Sequence, residues 1–197
     1  MFNPVRWFFD LNRKCFKAIA KYFPQTKFNS FSYYSEQVKN NISEGNVILD
    51  IGGGKKCDFA SERKNYNRLF IIALDISQEE LDYNHDVDEK IVFDITSGNK
   101  VPLDDDSVDM ITSRYVLEHL KNLDNAFSEV SRILKPGGKF ISLFPNKFTL
   151  FAIINQILPH WLARKILFSI NPGAKGHCGF RAYYKQMLLP CRKKIAE

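Results

Sequence analysis

Short apolar runs alternate with amphipathic segments through the middle of the chain. Runs rich in Val, Ile and Leu, without internal polar positions, are typical of strands buried on both faces of a parallel sheet. Five strands are predicted in this way, at the start of Val47–Gly54 and at Leu69–Leu74, Lys90–Phe93, Val108–Thr112 and Lys139–Phe144. Because helix patterns lie between them, the sequence predicts an α/β fold with a doubly wound, mostly parallel sheet.

The helix patterns of this core have recognisable ends. Phe59–Asn65 is predicted as a short helix. Another is expected to begin at Ser77, a good N-cap residue with Glu80 at the capping-box position. Leu123–Leu134 carries apolar residues on one face and is expected to end at the Pro-Gly-Gly segment at 136–138.

The segments on either side of the core have a different pattern. Pro4–Tyr22 is predicted as an amphipathic helix, Phe28–Tyr34 as a loop over the site, and Ser35–Asn41 as a short helix. Phe148–Leu158 and Trp161–Ile170 are apolar helical stretches flanked by basic residues. We therefore divide the chain into an N-terminal helical cap at 1–45, a core at 46–145, and a helical lid with a C-terminal segment at 146–197.

The most informative stretch is Val47–Gly54, in which an apolar strand runs into three consecutive glycines. Glycine permits the backbone angles of a tight turn and allows a ligand to approach the backbone closely. Asp50 lies beside this turn, and Asp75 and Asp94 each follow a later strand. Ligands of doubly wound sheets bind outside the carboxyl ends of the strands, so we expect the three acids to line one nucleoside site.

Two ligands with a nucleoside part are candidates for this site, a dinucleotide and S-adenosylmethionine. The dinucleotide fingerprint needs a third spaced glycine to seat a pyrophosphate at a helix N-terminus, and Cys57 occupies that position here. S-adenosylmethionine carries a sulfonium cation and no phosphate, so an acidic site suits it better. A carboxylate at Asp75 suits two ribose hydroxyls, and one at Asp94 suits the adenine amino group. A dehydrogenase with a nicotinamide cofactor is the less favoured alternative.

The same stretches resemble the class I S-adenosylmethionine-dependent methyltransferases, specifically the broad group that methylates small molecules, lipids and sugars. The resemblance covers about 46–145 continuously and implies a Rossmann-like fold. The matching segments, in the family's order, are Val47–Gly54, Ile72–Ser77, Phe93–Ile95, Val101–Leu103, Ser107–Asp109, Ser113–Leu120 and Arg132–Gly138.

The resemblance also implies roles for individual residues. The implied cofactor-binding set is Asp50, Gly52, Gly53, Gly54, Asp75, Ile76, Asp94, Ile95, Ser113 and Arg114. The first strand and its glycines would lie on the methionine and ribose side. The two residues after the second strand would bind the ribose hydroxyls and pack on the adenine, and the two after the third would contact the adenine edge. Ser113 and Arg114 would lie under the methionine part.

Methyl transfer to a hydroxyl or to a protonated amine is helped by a general base. His119 is the candidate catalytic base, and Glu118 and His177 are the other candidates. The four cysteines have no paired spacing, so neither a metal site nor a disulfide framework is expected.

Two features depart from the family pattern. Lys55 and Lys56 occupy positions after the second spaced glycine where the family usually has a small residue, and a side chain there would contact the methionine carboxylate or point to solvent. After Leu189 the chain cannot supply the antiparallel strand pair that normally completes the sheet. This predicts a truncated, five-stranded domain whose uncovered edge could self-associate. An inactive cofactor-binding remnant is therefore the alternative function.

Composition limits the partners. The net charge is +6, but no nucleic-acid motif is present, so solvated surface lysines are the preferred interpretation. Scattered cysteines fit a reducing compartment, and no apolar run is long enough to span a membrane, so a cytoplasmic protein is expected. The apolar, basic-flanked stretches at 148–170 either form a lid that buries its own apolar face or admit a lipid-linked acceptor at a membrane surface.

Overall fold

The computed structural model describes Asp10, Lys14, residues 29–145, Pro159, Trp161 and Leu162. Its sheet contains five strands in the order β3-β2-β1-β4-β5, and all neighbouring strands are parallel. The strands are β1 Val47–Ile51, β2 Phe70–Asp75, β3 Glu89–Val92, β4 Val108–Arg114 and β5 Leu134–Leu143. This confirms the predicted α/β fold with a doubly wound parallel sheet.

Within residues 29–145, five helical segments connect or cover the strands. They are α1 Ser30–Asn40, a 3₁₀ helix at Ala60–Lys64, α2 Gln78–Asp82, a 3₁₀ helix at Leu117–His119, and α3 Leu123–Ile133. The cap predicted at Ser77 is present, since its side chain accepts a hydrogen bond from the backbone N–H of Glu80. In a complete capping box, the side chain of Glu80 would accept a hydrogen bond from the backbone N–H of Ser77. Here that N–H donates to the side chain of Asp75.

The predicted loop at Phe28–Tyr34 is wrong from Ser30 onward, where α1 begins. The reason is a cap that the sequence analysis did not use. The side chain of Asn29 accepts hydrogen bonds from the backbone N–H groups of Phe31 and Ser32, which satisfies two donors of the first turn. The helix therefore starts five residues before the predicted Ser35.

The boundary between α3 and β5 also differs from the prediction. The helix ends at Ile133, before the Pro-Gly-Gly segment, and the next residue already pairs with β4. Leu134 lies opposite Val108 and Lys139 lies opposite Met110, so the segment between them is an irregularity inside the ladder. Proline has no N–H to donate to a ladder, and Gly137 has a positive φ of 79°, which explains why pairing is interrupted there.

Both faces of the sheet are buried, as a parallel sheet requires. On one face, Leu49, Ile72 and Ile111 pack with the inner residues of α3. On the other face, the core contains Ile48 with Tyr34 and Val38 of α1. Helix α1 belongs to the predicted cap at 1–45, and it is packed against the sheet of the core.

Several predictions lie outside the described residues. These are the amphipathic helix at Pro4–Tyr22, nearly all of the apolar stretches at 148–170, and the segment around His177 and Leu189. Within the part of the chain that the structure describes, no helix is long and apolar enough to cross a membrane.

Candidate functional site

A cavity of about 470 Å³ opens at the carboxyl ends of the central strands. The strand order reverses between β1 and β4, so this is the switch point at which doubly wound sheets bind ligands. The sequence-predicted residues that line the cavity are Gly52, Asp75, Ile76, Asp94, Ile95, Arg114 and His119. The structure thus brings most of the predicted set together.

The glycine turn is built into the sheet by backbone hydrogen bonds. The N–H groups of Gly52 and Gly53 donate to the carbonyl of Leu74 at 2.7 and 3.2 Å. The carbonyls of Gly53 and Gly54 accept from the side-chain amide of Asn84, which is fully buried, at 3.0 and 3.1 Å. Neither Gly53 nor Gly54 lines the cavity, so their contribution is to the shape of the turn.

Gly52 meets two independent requirements for glycine. Its φ is +74°, a backbone conformation that other residues rarely adopt. A Cβ at this position would lie 2.1 Å from Cγ2 of Val116, which itself lines the cavity. The side chain of Val116, in the segment after β4, therefore occupies the space that a side chain at Gly52 would need.

Asp75 ends β2 at the rim of the cavity. Its Oδ2 accepts a hydrogen bond from the N–H of Gly54 at 3.1 Å, and its Oδ1 accepts one from the N–H of Ser77 at 2.9 Å. Each carboxylate oxygen can accept a second hydrogen bond. The side chain is thus oriented by the backbone and can still receive two hydroxyls. Ile76 beside it is 55% exposed, which leaves an apolar surface for a flat ring.

Asp94 follows β3 and uses one oxygen to hold its own loop. Its Oδ1 accepts from the backbone N–H of Thr96 at 2.9 Å and from the Thr96 hydroxyl at 2.7 Å. Neither of these two hydrogen bonds involves Oδ2, which is an acceptor for the hydrogen of an amino group. Ile95 lines the cavity although only 3% of it is exposed.

Asp50 was expected to line the nucleoside site with the other two acids, but it does not line the cavity. In a strand, successive side chains point to opposite faces, and Asp50 shares a face with Ile48, on the side of α1. The hydroxyl of Thr112 donates to its Oδ1 at 2.7 Å. Burial raises the pKa of Asp50 to about 7, against the opposing effect of that hydrogen bond. Near neutral pH its charge is therefore partly suppressed.

Arg114 ends β4 and reaches two other elements. Its Nε lies 2.9 Å from the carboxylate of Asp58, which follows the glycine turn. Its guanidinium carbon lies 5.3 Å from the ring centre of Phe31 on α1, within cation–π range. Ser113, the preceding residue, is fully buried and does not line the cavity.

The 3₁₀ helix after β4 carries the two candidate bases on different sides. His119 lines the cavity, whereas Glu118 does not and is only 4% exposed. Among the described residues, Oε2 of Glu118 has no hydrogen-bond partner, and burial raises the pKa of this carboxyl to about 7. Ser113 and Ser142 pair across β4 and β5, and in the part of the chain that the structure describes their buried hydroxyls also have no hydrogen-bond partner.

Five further lining residues matter for the site and were not predicted for it. They are Glu80, Phe93, Thr96, Val116 and Lys121. The sequence signal for Glu80 was present, since it follows Asp75 on the next helix, but it was interpreted only as a capping residue. The close approach of Val116 to Gly52 joins residues far apart in sequence, and no local pattern indicates it.

A larger cavity of about 600 Å³ lies elsewhere and includes none of the predicted site residues. Lys56, Cys57 and Arg63 contribute to its wall. Arg63 is held there by Asp88, with nitrogen–oxygen distances of 2.5 and 2.9 Å. Lys55 instead lies 4.0 Å from Glu80, so the two lysines after the turn diverge. Position relative to the strand ends, and not size, identifies the smaller cavity as the candidate site.

Sequence comparison gives relatives with stated activities. A ubiquinone/menaquinone biosynthesis C-methyltransferase of Hydrogenovibrio crunogenus is 28% identical over 117 residues, 56% of this chain and 46% of the relative. A sterol 4-C-methyltransferase of Caenorhabditis elegans is 32% identical over 108 residues, 52% of this chain and 32% of the relative. The 27-O-demethylrifamycin SV methyltransferase of Amycolatopsis mediterranei is 27% identical, over 50% of this chain and 38% of the relative. The chain thus spans less than half of each of these relatives.

A structural comparison supports the fold. A predicted methyltransferase of Bacillus halodurans has a TM-score of 0.50 with this chain and is 19% identical to it. The match covers 64% of this chain and 57% of that protein. At this identity the similarity shows the fold alone.

The parallel sheet, its glycine turn and the acids at the carboxyl ends of β2 and β3 agree with the resemblance to class I S-adenosylmethionine-dependent methyltransferases. Residues 49–142, just under half of the chain, match the family model described as a methyltransferase domain. Through this segment, the chain is similar to the methyltransferase-domain family.

Proposed function

We propose that this protein transfers the methyl group of S-adenosylmethionine to a small-molecule, sugar or lipid-linked acceptor. The observation that carries the proposal is the arrangement of Asp75 and Asp94 on neighbouring strand ends of one cavity. Both oxygens of Asp75 are oriented by backbone N–H groups and keep capacity for two ribose hydroxyls. Asp94, one strand further along, is placed to accept the adenine amino group.

The segment after the glycine turn favours this ligand over a dinucleotide. A dinucleotide site seats its pyrophosphate on the N-terminus of an α-helix that follows the turn. Here the segment that follows is a 3₁₀ helix at Ala60–Lys64, and Cys57 between them is buried. The carboxylates of Asp75, Glu80 and Asp94 would also repel a pyrophosphate, whereas they suit a ligand that carries a sulfonium cation.

When bound, S-adenosylmethionine supplies an electrophilic methyl group on a sulfonium centre. The residues of this chain align that group with the acceptor and exclude water, which is the main requirement of an in-line displacement. Those predicted cofactor-binding residues that line the cavity hold the nucleoside and methionine parts, and Ile76 offers its exposed side chain to the adenine ring. We assign His119, which lines the cavity, as the group that accepts a proton from the acceptor.

The names of the relatives suggest the chemical character of the acceptor. Their acceptors include quinone precursors, a sterol and a rifamycin. We therefore favour an apolar ring compound, and the apolar stretches at 148–170 agree with this choice. Contact with a membrane surface belongs to the same proposal, because such acceptors partition into membranes.

The test has two stages, each with its own outcome. Calorimetry with S-adenosylmethionine and, separately, with NAD should show binding of the first and not of the second. Transfer of a labelled methyl group to a demethylated naphthoquinol, a sterol and a phenol should then identify the acceptor class. Binding without transfer over a wide acceptor panel would favour the alternative, a non-catalytic cofactor-binding protein. Binding of NAD alone would contradict both.

A further inference from the structure

Asn84 is a fully buried polar residue to which the proposed function assigns no role. It follows α2 and does not line the cavity. Its side-chain nitrogen donates hydrogen bonds to the carbonyls of Gly53 and Gly54, and its Oδ1 accepts one from the backbone N–H of Asp86 at 3.1 Å. These partners are backbone groups of fixed polarity, so the amide fits in one orientation only. Asn84 thus connects the segment before β3 to the glycine turn.

The peptide between Gly53 and Gly54 has a side-chain partner at each end. Its carbonyl accepts from Asn84 at 3.0 Å, and its N–H donates to Oδ2 of Asp75 at 3.1 Å. A trans peptide is planar, with its C=O and N–H in opposite directions, so fixing the carbonyl also fixes the direction of the N–H. Hydrogen bonds in such a chain also polarise and strengthen one another. One peptide therefore links the side chain of Asn84 to that of Asp75.

This peptide needs an external partner because glycine lies on both sides of it. Glycine populates backbone angles that other residues avoid, so a peptide between two glycines can rotate at little steric cost. Rotation by half a turn would point the Gly53 carbonyl, and not the Gly54 N–H, at the Asp75 carboxylate. The other backbone donor to that carboxylate, the N–H of Ser77 at 2.9 Å, binds Oδ1 and not Oδ2. The hydrogen bonds of Asn84 oppose this rotation.

We propose that Asn84 is a positioning residue for cofactor binding, which through the Gly53–Gly54 peptide holds the Asp75 carboxylate in the orientation that receives the ribose hydroxyls. The inference rests on the proposed function and adds a residue outside the cavity that sets how strongly the site selects a ribose. A carboxylate that is oriented before the ligand arrives loses less freedom on binding, so its hydrogen bonds contribute more to affinity. Asn84 thus acts on the ligand only through Asp75.

The test compares two ligands that differ by one ribose hydroxyl. Calorimetry on the full chain would measure the affinities of S-adenosylmethionine and of its 2′-deoxy form. A hydrogen bond from this hydroxyl to an oriented carboxylate predicts that the unaltered protein prefers S-adenosylmethionine by roughly 10- to 100-fold. Asn84→Leu has a similar volume and no donor, and it should lower this preference by roughly tenfold. Asn84→Asp keeps the acceptor for the Asp86 N–H but loses the amide donors, and it carries the same test if the leucine variant does not fold.

A matched variant separates this role from a general loosening of the loops. The amide of Asn125 donates to the Thr96 carbonyl at 3.0 Å, in the loop that follows Asp94. Asn125→Leu should therefore leave the preference for the ribose hydroxyl unchanged. In Asp75→Ala the preference is already lost, so adding Asn84→Leu should not change it further.

A purely structural role for Asn84 has a different result. Its substitution would then weaken the binding of both ligands equally and keep the preference of the unaltered protein. That result, or a further loss of preference when Asn84→Leu is added to Asp75→Ala, would overturn the proposal. An unaltered protein that binds both ligands equally would also overturn it. If the unaltered protein binds neither ligand, the proposed function itself fails.

Discussion

Gly52 shows how one residue can carry two separate constraints. Gly52→Ala adds a Cβ 2.1 Å from Val116 at a φ of +74°, whereas Gly45→Ala has nearly the same φ, +72°, and no atom within 4 Å. Both variants therefore have the same unfavourable backbone conformation, but only Gly52→Ala also has a steric clash. We expect a loss of about 1 kcal/mol for Gly45→Ala and at least about 2 kcal/mol for Gly52→Ala in urea unfolding. Equal losses would show that the contact with Val116 relaxes freely.

Asp75 is the residue on which cofactor binding should depend most. Asp75→Ala removes the proposed acceptor for the ribose hydroxyls and the partner of two backbone N–H groups. Its affinity for S-adenosylmethionine should fall by roughly 10- to 100-fold in calorimetry. Asp82→Ala removes an exposed acid on the adjacent helix α2 and should bind normally. An unchanged affinity in Asp75→Ala would contradict the site.

Glu118 predicts an unusual dependence of stability on pH. Its pKa is raised to about 7 in the folded protein, so the folded state binds more protons than the unfolded state between about pH 4.5 and 7. Stability should therefore fall as pH rises through this window. Glu118→Gln should be more stable than the parent above pH 7, by on the order of 3 kcal/mol, and equal to it near pH 4.

Unfolding curves at a series of pH values would test this. Asp50 titrates in the same window, with its pKa also raised to about 7 by burial. The glutamine variant should therefore keep a shallower decline, and Asp50→Asn should remove the rest. A parallel shift of the whole profile in Glu118→Gln would show that the carboxyl of Glu118 is not protonated in the folded state.

At the scale of elements, the cap of α1 links stability to the site. Asn29→Ala removes the acceptor of two N–H groups and should cost about 1 kcal/mol. Asn122→Ala removes the matching cap of α3 and should cost about the same. Because α1 carries Phe31 against Arg114, only Asn29→Ala should also weaken cofactor binding. Thermal unfolding and calorimetry on both variants would show whether the effects separate in this way.

The predicted elements were most accurate where one local pattern dominated. The strands around Ile48 and Ile71 and the amphipathic helix α3 agree with the structure to within a few residues. The start of α1 was mispredicted because aromatic and serine residues concealed the cap at Asn29. The start of β5 was predicted five residues too late, at Lys139, because Leu134 already pairs with Val108 before the irregularity in the ladder. Both errors concern boundaries that depend on hydrogen bonds beyond the apolar pattern.

At the scale of the molecule, the sequence predicted the class of sheet but not the order of its strands. That order decides which residues meet, and together with the strand register it explains why Asp50 does not line the cavity. The strand register turns Asp50 toward Thr112 and α1, while Asp75 and Asp94 remain at the cavity. Residues at strand ends could be placed at the cavity from their positions in the sequence alone. For a residue inside a strand, the prediction also required knowing which element packs against the face that carries its side chain.

The whole molecule should report cofactor binding as a gain in stability. A ligand that binds only the folded state at 100 times its dissociation constant stabilises by about 2.7 kcal/mol. We expect S-adenosylmethionine to raise the unfolding temperature, and Asp75→Ala to reduce that rise at the same ligand concentration. NAD at equal concentration should leave the temperature unchanged. A rise with NAD alone would contradict the choice of ligand.

The glycine turn has a further consequence for local motion. The N–H groups of Gly52 and Gly53 both donate to Leu74, and the fully buried Asn84 bridges the carbonyls of Gly53 and Gly54. These bonds tie the turn to β2 and to the segment before β3. In amide hydrogen exchange, the two glycines should therefore exchange as slowly as the sheet and lose protection only when β1 and β2 separate. We therefore expect the glycine turn to be as rigid as the sheet beneath it before any ligand binds.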